Sequence, residues 1–133
     1  MQTTIATGEI HATRWEFRDL IERRAAGILQ PDAGVVGGVT EWMRVARTAE
    51  TFGLAVAPHW HANLHAHVAL AASSCIAIEH FTLDKDIYNF ERLITPASRL
   101  AIGGGCVHPS DRSGLGIEFD RDALGRFAVE HAR

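Results

Sequence analysis

Residues 53–72 read GLAVAPHWHANLHAHVALAA, and this stretch decides the fold. Leu54-Ala55-Val56-Ala57 is a continuous apolar run too short for a helix, closed by Pro58 and His59. Leu64, Val68, Ala71 and Ala72 then recur at helical spacing, with Asn63 expected as the cap of that helix. A strand apolar on both faces, followed at once by a helix, is the unit of a parallel sheet covered by helices.

The same unit lies on either side. Upstream, Ile28-Leu29-Gln30 predicts a strand closed by Pro31-Asp32. A loop containing Gly34, Gly37 and Gly38 leads to Thr40, expected as an N-cap. The following helix packs through Trp42, Val45, Ala46, Ala49 and Phe52 and stops at Gly53. Before it, Thr3-Thr4-Ile5-Ala6-Thr7 is a β-leaning run ending at Gly8-Glu9. Thr13-Arg14-Trp15-Glu16 fits a capping box, and a helix with Trp15, Leu20 and Ile21 on its apolar stripe, Phe17 and Arg24-Ala25 alongside, is expected to stop at Gly27. Downstream, Cys75-Ile76-Ala77-Ile78 predicts a fourth strand, ending at Glu79.

Beyond Phe81 the alternation fades. Residues 84–116 read as extended loop, Gly116-Ile117-Glu118-Phe119 as a short strand, and Asp122 as the cap of a terminal helix through Leu124, Phe127 and Val129. The fold class is therefore α/β. We expect one partial domain over residues 1–133, with βα units in 1–83 and a C-terminal extension over 84–133.

Composition narrows the function classes. With 133 residues, 47% hydrophobic and 22% charged, the chain has the profile of a soluble globular protein. A net charge of −3 argues against a phosphate backbone or an anionic membrane as partner. No apolar run approaches the ~20 residues of a membrane span, and the N-terminus lacks a signal-peptide pattern. A cytoplasmic address is the resulting expectation. Cys75 and Cys106 lack CxxC spacing, and Cys75, in its apolar run, is expected to be a buried small hydrophobe.

The chemistry lies at the strand ends. Glu9, Asp32, His59 and Glu79 each follow the apolar strand of their own unit, at intervals of 23, 27 and 20 residues. In a parallel barrel all C-terminal strand ends open on one face, where barrel enzymes hold their reactive groups. Neighbouring strands lie ~4.8 Å apart, so Asp32 and His59 are expected side by side. A carboxylate beside an imidazole fixes its tautomer and strengthens it as a general base. Glu79, protonated among apolar neighbours, would donate a hydrogen bond to a developing oxyanion. Glu9 is a hard oxygen ligand suited to Mg²⁺. Together these groups suit proton abstraction beside a carboxylate, with the enediolate charge held by metal and acid.

The stretches ATGE (6–9), ILQPDAGVVGGVTEW (28–42), GLAVAPHWHANLHAHVALAA (53–72) and IAIEHF (76–81) are similar, in order and spacing, to the last barrel strands of enolase-superfamily proteins of the mandelate racemase and muconate lactonizing enzyme type. SGLGIEF (113–119) resembles the tail that returns to the capping domain of that family. The resemblance implies the C-terminal part of a (β/α)7β TIM-like barrel, namely its last four parallel strands with covering helices, plus a return segment to a missing capping domain. It also implies a lyase or isomerase using Mg²⁺, with Glu9 as a metal carboxylate, Asp32 and His59 as the catalytic dyad and Glu79 as the acid. The implied substrate is a small carboxylate, an acid sugar or a 2-hydroxy acid, with dehydration preferred over racemisation and His61 and Asn63 lining the pocket. The family's other two metal carboxylates and its opposite-face lysine lie on earlier strands. An open half-barrel also exposes strand edges, so a second copy or a complementary N-terminal chain is the expected partner.

Two other readings stay open. Four of the eight histidines, His59, His61, His65 and His67, fall within nine residues, and the spacing of His61 and His65 also fits a small zinc or iron protein. A cupin would place a glutamate shortly after its HxH, and an amidohydrolase would carry its HxH on the first strand. Alternatively the chain is an inactive fragment or one subunit of a split enzyme. The glycine loop does not spell GxGxxG and follows Asp32, so it is no dinucleotide fingerprint.

Overall fold

A computed structural model describes residues 3–85 and 89–129. The chain divides into two compact units, Met1–His80 and Phe81–Arg133.

The first unit has the expected alternation: β1 (Ala6–Thr7), α1 (Arg14–Glu22), β2 (Ile28–Leu29), α2 (Val39–Thr51), β3 (Ala55–Val56) and α3 (Ala62–Leu70). The strands form a parallel sheet in the order β1-β2-β3, with Thr7 opposite Leu29 and Leu29 opposite Val56. The anticipated fourth strand is reduced to one parallel bridge between Val56 and Cys75. Its backbone bonds, Val56 N–H to Ser74 O and Ile76 N–H to Val56 O, still carry the chain alongside β3. Ile76 is exposed and Cys75 only half-buried, so neither has the covering that the apolar run led us to expect.

The core lies between helices and sheet. Phe17 and Ile21 from α1, Leu29 from β2, Trp42, Val45, Ala46 and Ala49 from α2, and Val56 from β3 form one buried cluster. Each large aliphatic or aromatic side chain so removed from water contributes roughly 1.5–3 kcal/mol. Two expected core residues lie outside it. Phe52 is exposed at the end of α2, and Trp15 is exposed beneath the guanidinium groups of Arg14 and Arg18, 4.6 and 5.5 Å from its ring. The indole's electron-rich face is thus satisfied by cations rather than by packing.

Helix ends differ from the simplest sequence reading. Thr13 makes no capping bond with its side chain, while the Glu16 carboxylate accepts from Ala12 N–H, so half of the capping box forms, one residue early. Gly38 rather than Thr40 is the N-cap of α2, and His61 rather than Asn63 that of α3. Gly53, with φ +68°, closes α2 as expected: its N–H bonds Glu50 O, and Leu54 N–H bonds Ala49 O. The identical pattern ends α1 ahead of Gly27, with Arg24 at φ +51° in the position glycine normally takes. An L side chain there is strained by about 1–2 kcal/mol. Arg24→Gly should therefore raise stability by about 0.5–1 kcal/mol once glycine's larger unfolded-state entropy is subtracted. A urea midpoint below that of the parent would show that Arg24 offsets its strain by contacts.

The second unit replaces the expected loop over 84–116 with defined structure. Two 3₁₀ turns, Phe90–Arg92 and Pro96–Ser98, precede an antiparallel hairpin of β4 (Ala101–Gly103) and β5 (Cys106–His108). Gly104 and Gly105, both at positive φ, form the two-residue turn that hairpin requires. Phe119 pairs with Ile94 in a single bridge where a short strand was expected. Asp120, two residues before the expected Asp122, caps α4 (Arg121–Phe127) by accepting from the N–H groups of Asp122 and Ala123.

Candidate active site

The sheet register brings the site together. Leu29 pairs with Val56, and Asp32 and His59 each lie three residues beyond their own member of that pair. Equal offsets on adjacent parallel strands put the two side chains side by side. Asp32 Oδ2 lies 3.2 Å from His59 Nδ1. Asp32 is 2% exposed, and its other oxygen accepts from Gly34 N–H at 2.7 Å. Trp42 Nε1–H donates to Pro31 O at 2.9 Å and so anchors the loop directly before the carboxylate. With both oxygens held, Asp32 fixes the imidazole with the proton on Nδ1 and leaves Nε2 as the basic nitrogen. Glu79 Oε2 stands 3.9 Å from His59 Nε2 and accepts from Trp60 N–H at 2.9 Å. The Glu79 side chain is 36% exposed beside the imidazole rather than enclosed by apolar neighbours as expected. His59 keeps a third of its side chain open to solvent.

Gly34 serves this arrangement by its lack of a side chain. A Cβ built there would lie 3.2 Å from Asp32 Oδ1 and 3.6–3.7 Å from two atoms of the His61 ring. Its φ is ordinary, so close approach rather than a tight turn requires glycine.

Trp60 and His61 both adopt left-handed backbone conformations, with φ of 49° and 31°. Such strain costs of order 1–3 kcal/mol per residue and persists where surrounding bonds impose it. The His61 ring stacks on Trp60, with centroids 5.0 Å apart, above the Gly34 loop. The structure thus sets the His61 ring against Gly34, two residues after Asp32, while Asn63 is buried in the first turn of α3.

Sequence reasoning passed over His65 as a helix residue. It is 0% exposed, its Nε2 accepts from Ala33 N–H at 3.0 Å, and its Nδ1 lies 2.7 Å from Trp60 O. Because Ala33 N–H is a donor, Nε2 is unprotonated and Nδ1 carries the hydrogen that Trp60 O accepts. Burial holds this imidazole below its usual pKa, against the opposing pull of the Trp60 carbonyl and the Asp32 carboxylate. The consequence for stability has a definite sign. Above pH about 6.5 His65 is neutral in folded and unfolded chains alike. Below it the unfolded chain takes up a proton that the folded chain resists, so stability falls as pH falls, by at most about 1.4 kcal/mol per pH unit. Urea unfolding at pH 7.5 and 5.5 should show this loss, and His65→Gln should flatten it; equal slopes would assign the effect to other histidines.

Glu9 lies in the turn after β1, where His11 N–H closes on Gly8 O, and is half-buried at that strand end. Among the described residues no three His, Cys, Asp or Glu side chains converge as a metal site. The possible zinc or iron pair of His61 and His65 is overturned, because both ring nitrogens of His65 are committed to backbone groups.

The family model for enolase C-terminal domain-like proteins matches residues 1–123 of the chain. The chain belongs to the enolase C-terminal domain-like family. Its relatives in that family are of the mandelate racemase and muconate lactonizing enzyme type, lyases and isomerases with this α/β barrel domain. The chain is 31% identical to the L-talarate/galactarate dehydratase of Salmonella typhimurium over 92% of its own length and 29% of that enzyme's. It is 30% identical to the D-galactonate dehydratase of Ralstonia nicotianae over 87% of its length and 32% of that enzyme's. A crystal structure of L-talarate dehydratase from Polaromonas sp. JS666, complexed with Mg and L-glucarate, superposes with a TM-score of 0.80 at 36% identity, covering 94% of this chain and 33% of that one. The chain therefore spans about a third of the length of the relatives it matches.

Mg²⁺, bound in that enolase-superfamily relative, demands a near-octahedral oxygen set. One half-buried carboxylate, Glu9, does not make that set, so the described residues do not fit a complete Mg²⁺ site. Among them there is also no helix long and apolar enough to cross a membrane.

Proposed function

We propose that this chain carries the proton-abstracting part of an acid-sugar dehydratase active site. The observation that carries the reading is the His59–Asp32 pair, 3.2 Å apart at the mouth of a parallel sheet, with Nε2 of His59 turned towards Glu79. His59 takes the proton α to the substrate carboxylate through Nε2, and the C–H electron pair enters the carboxylate as an enediolate. The electrons then return to form the Cα–Cβ double bond, and the β-hydroxyl leaves as water with the proton held by His59. Tautomerisation of the resulting enol gives a 2-keto-3-deoxy acid. Asp32 stabilises the imidazolium formed in the first step, and Glu79 is the acid proposed to hydrogen-bond the developing oxyanion. His61 and Asn63 are proposed to shape the pocket for the sugar hydroxyls, Asn63 from within α3.

Glu9 would contribute one oxygen to Mg²⁺, and the remaining ligands would come from outside the described residues. A second copy or a complementary N-terminal chain is the proposed source of these and of the cover for the open sheet edge. Racemisation of a 2-hydroxy acid would start from the same abstraction but needs a second base on the opposite face. The preference for dehydration rests on the acid-sugar dehydratases among the relatives.

The test combines assembly and chemistry. Native mass spectrometry with and without Mg²⁺ reads whether the chain associates and gains metal. NMR in D₂O with galactarate, glucarate and galactonate reads α-proton exchange and keto-acid formation. The expected result is an Mg²⁺-binding assembly that turns over one of these acids and loses the activity in His59→Asn. A metal-free monomer without exchange would overturn the proposal and leave an inactive fragment.

A further inference from the structure

One imidazole links the two loops that carry the dyad. His65 Nε2 accepts from the N–H of Ala33, the residue after Asp32, and His65 Nδ1–H donates to the carbonyl of Trp60, the residue after His59. We propose that His65 is the positioning residue of this site, tying the Asp32 loop to the His59 loop at a fixed separation. The inference rests on the dyad reading above, but concerns geometry that can be measured without turnover.

Three observations carry it. First, the bonds run to backbone atoms of two different βα loops, so they set the relation between the loops rather than the stability of α3 alone. Second, Trp60 and His61 hold left-handed conformations that an unrestrained chain would relax. Trp60 is held at both ends of that strain, its N–H by Glu79 at 2.9 Å and its carbonyl by His65 at 2.7 Å. Third, His65 is fully buried and its ring stacks on Trp42, with centroids 6.3 Å apart, while the Trp42 indole N–H bonds Pro31 O. The ring is therefore itself fixed from behind, and its Nε2 lies 3.9 Å from Asp32 Oδ1.

The geometry demands one protonation state. Only the neutral Nδ1–H form accepts from Ala33 and donates to Trp60 together. A protonated ring would turn a second N–H against the Ala33 N–H, and the Nε2–H tautomer would lose both bonds. The burial that lowers the His65 pKa works in the same direction.

Nitrogen-15 NMR of the full chain tests this without any substrate. In the parent protein His65 should appear as the neutral Nδ1–H tautomer, with a through-hydrogen-bond coupling between its Nε2 and the Ala33 amide. His59 should also hold its proton on Nδ1, towards Asp32. In His65→Leu the Nδ1–H population of His59 should collapse several-fold, towards that of a freely exposed histidine. His65→Gln, whose amide can replace one bond at a time, should recover part of it. A folded His65→Leu chain with the His59 signal unchanged would make His65 merely structural and overturn the proposal. Should His65→Leu fail to fold, absence of the Ala33 coupling, or an Nε2–H tautomer at His65 in the parent chain, would overturn it equally. An inert chain that passes these tests would refute the proposed reaction and leave the positioning role standing.

Discussion

Replacing Trp42 by alanine should lower the stability of the first unit by about 3–5 kcal/mol. The residue is 0% exposed and is among the largest fully buried side chains of the structure. Its ring reaches from α2 to the loop after β2 and to α3, where it stacks on His65. Its indole N–H satisfies the Pro31 carbonyl at 2.9 Å, so truncation opens a cavity and orphans a buried acceptor together. Against a total stability of ordinarily 5–15 kcal/mol, a loss of this size removes a large share of what keeps the chain folded. Urea unfolding followed by circular dichroism measures it. Trp42→Phe separates the two effects, since it keeps most of the volume and loses only the hydrogen bond, for an expected cost of about 1–3 kcal/mol. A loss below about 1 kcal/mol in the alanine variant would mean that the surroundings collapse into the space and that Trp42 is not the keystone of this packing.

The second large effect is catalytic. Asp32→Asn should reduce α-proton abstraction by about 10²–10⁴-fold in the active assembly while leaving the fold nearly intact. The asparagine oxygen can go on accepting from Gly34 N–H, where Asp32 Oδ1 sits now. Its amide NH₂ then faces His59 Nδ1, which must accept rather than donate. The imidazole proton is forced onto Nε2, the nitrogen that should take the substrate proton, so the base is lost through its tautomer rather than its position. Steady-state rates and exchange in D₂O measure the loss, and imidazole ¹⁵N shifts of the chain alone report the tautomer switch. Parent-like rates in the variant would remove Asp32 from the mechanism. A tautomer switch without loss of rate would place the base elsewhere.

Much of this was legible in the order of residues. Apolar runs such as Leu54–Ala57 and Ile28–Leu29, each followed by helical spacing, determined a parallel sheet covered by helices, because such strands must be buried on both faces. Polar residues directly after those runs marked Asp32 and His59 as neighbours, since parallel strands all end on one side, and the structure sets the two 3.2 Å apart. The motifs from ATGE to IAIEHF also carried the family, and the match over residues 1–123 bears that out.

What only the tertiary structure decided follows from long-range contacts that spacing does not encode. Equal register offsets, not the 27-residue interval, put Asp32 against His59. Phe52 and Trp15 obey helical periodicity yet face solvent, because periodicity assigns a face without saying what covers it. The helix caps shifted by one or two residues, since several neighbouring groups can satisfy the same free N–H. The Cys75–Ile78 run pairs at a single bridge beside β3, as apolar composition does not supply a partner strand. His65 looked like one more histidine on a helix. Its role depends on backbone groups 5 and 32 residues away in the chain, which only folding brings to its two nitrogens.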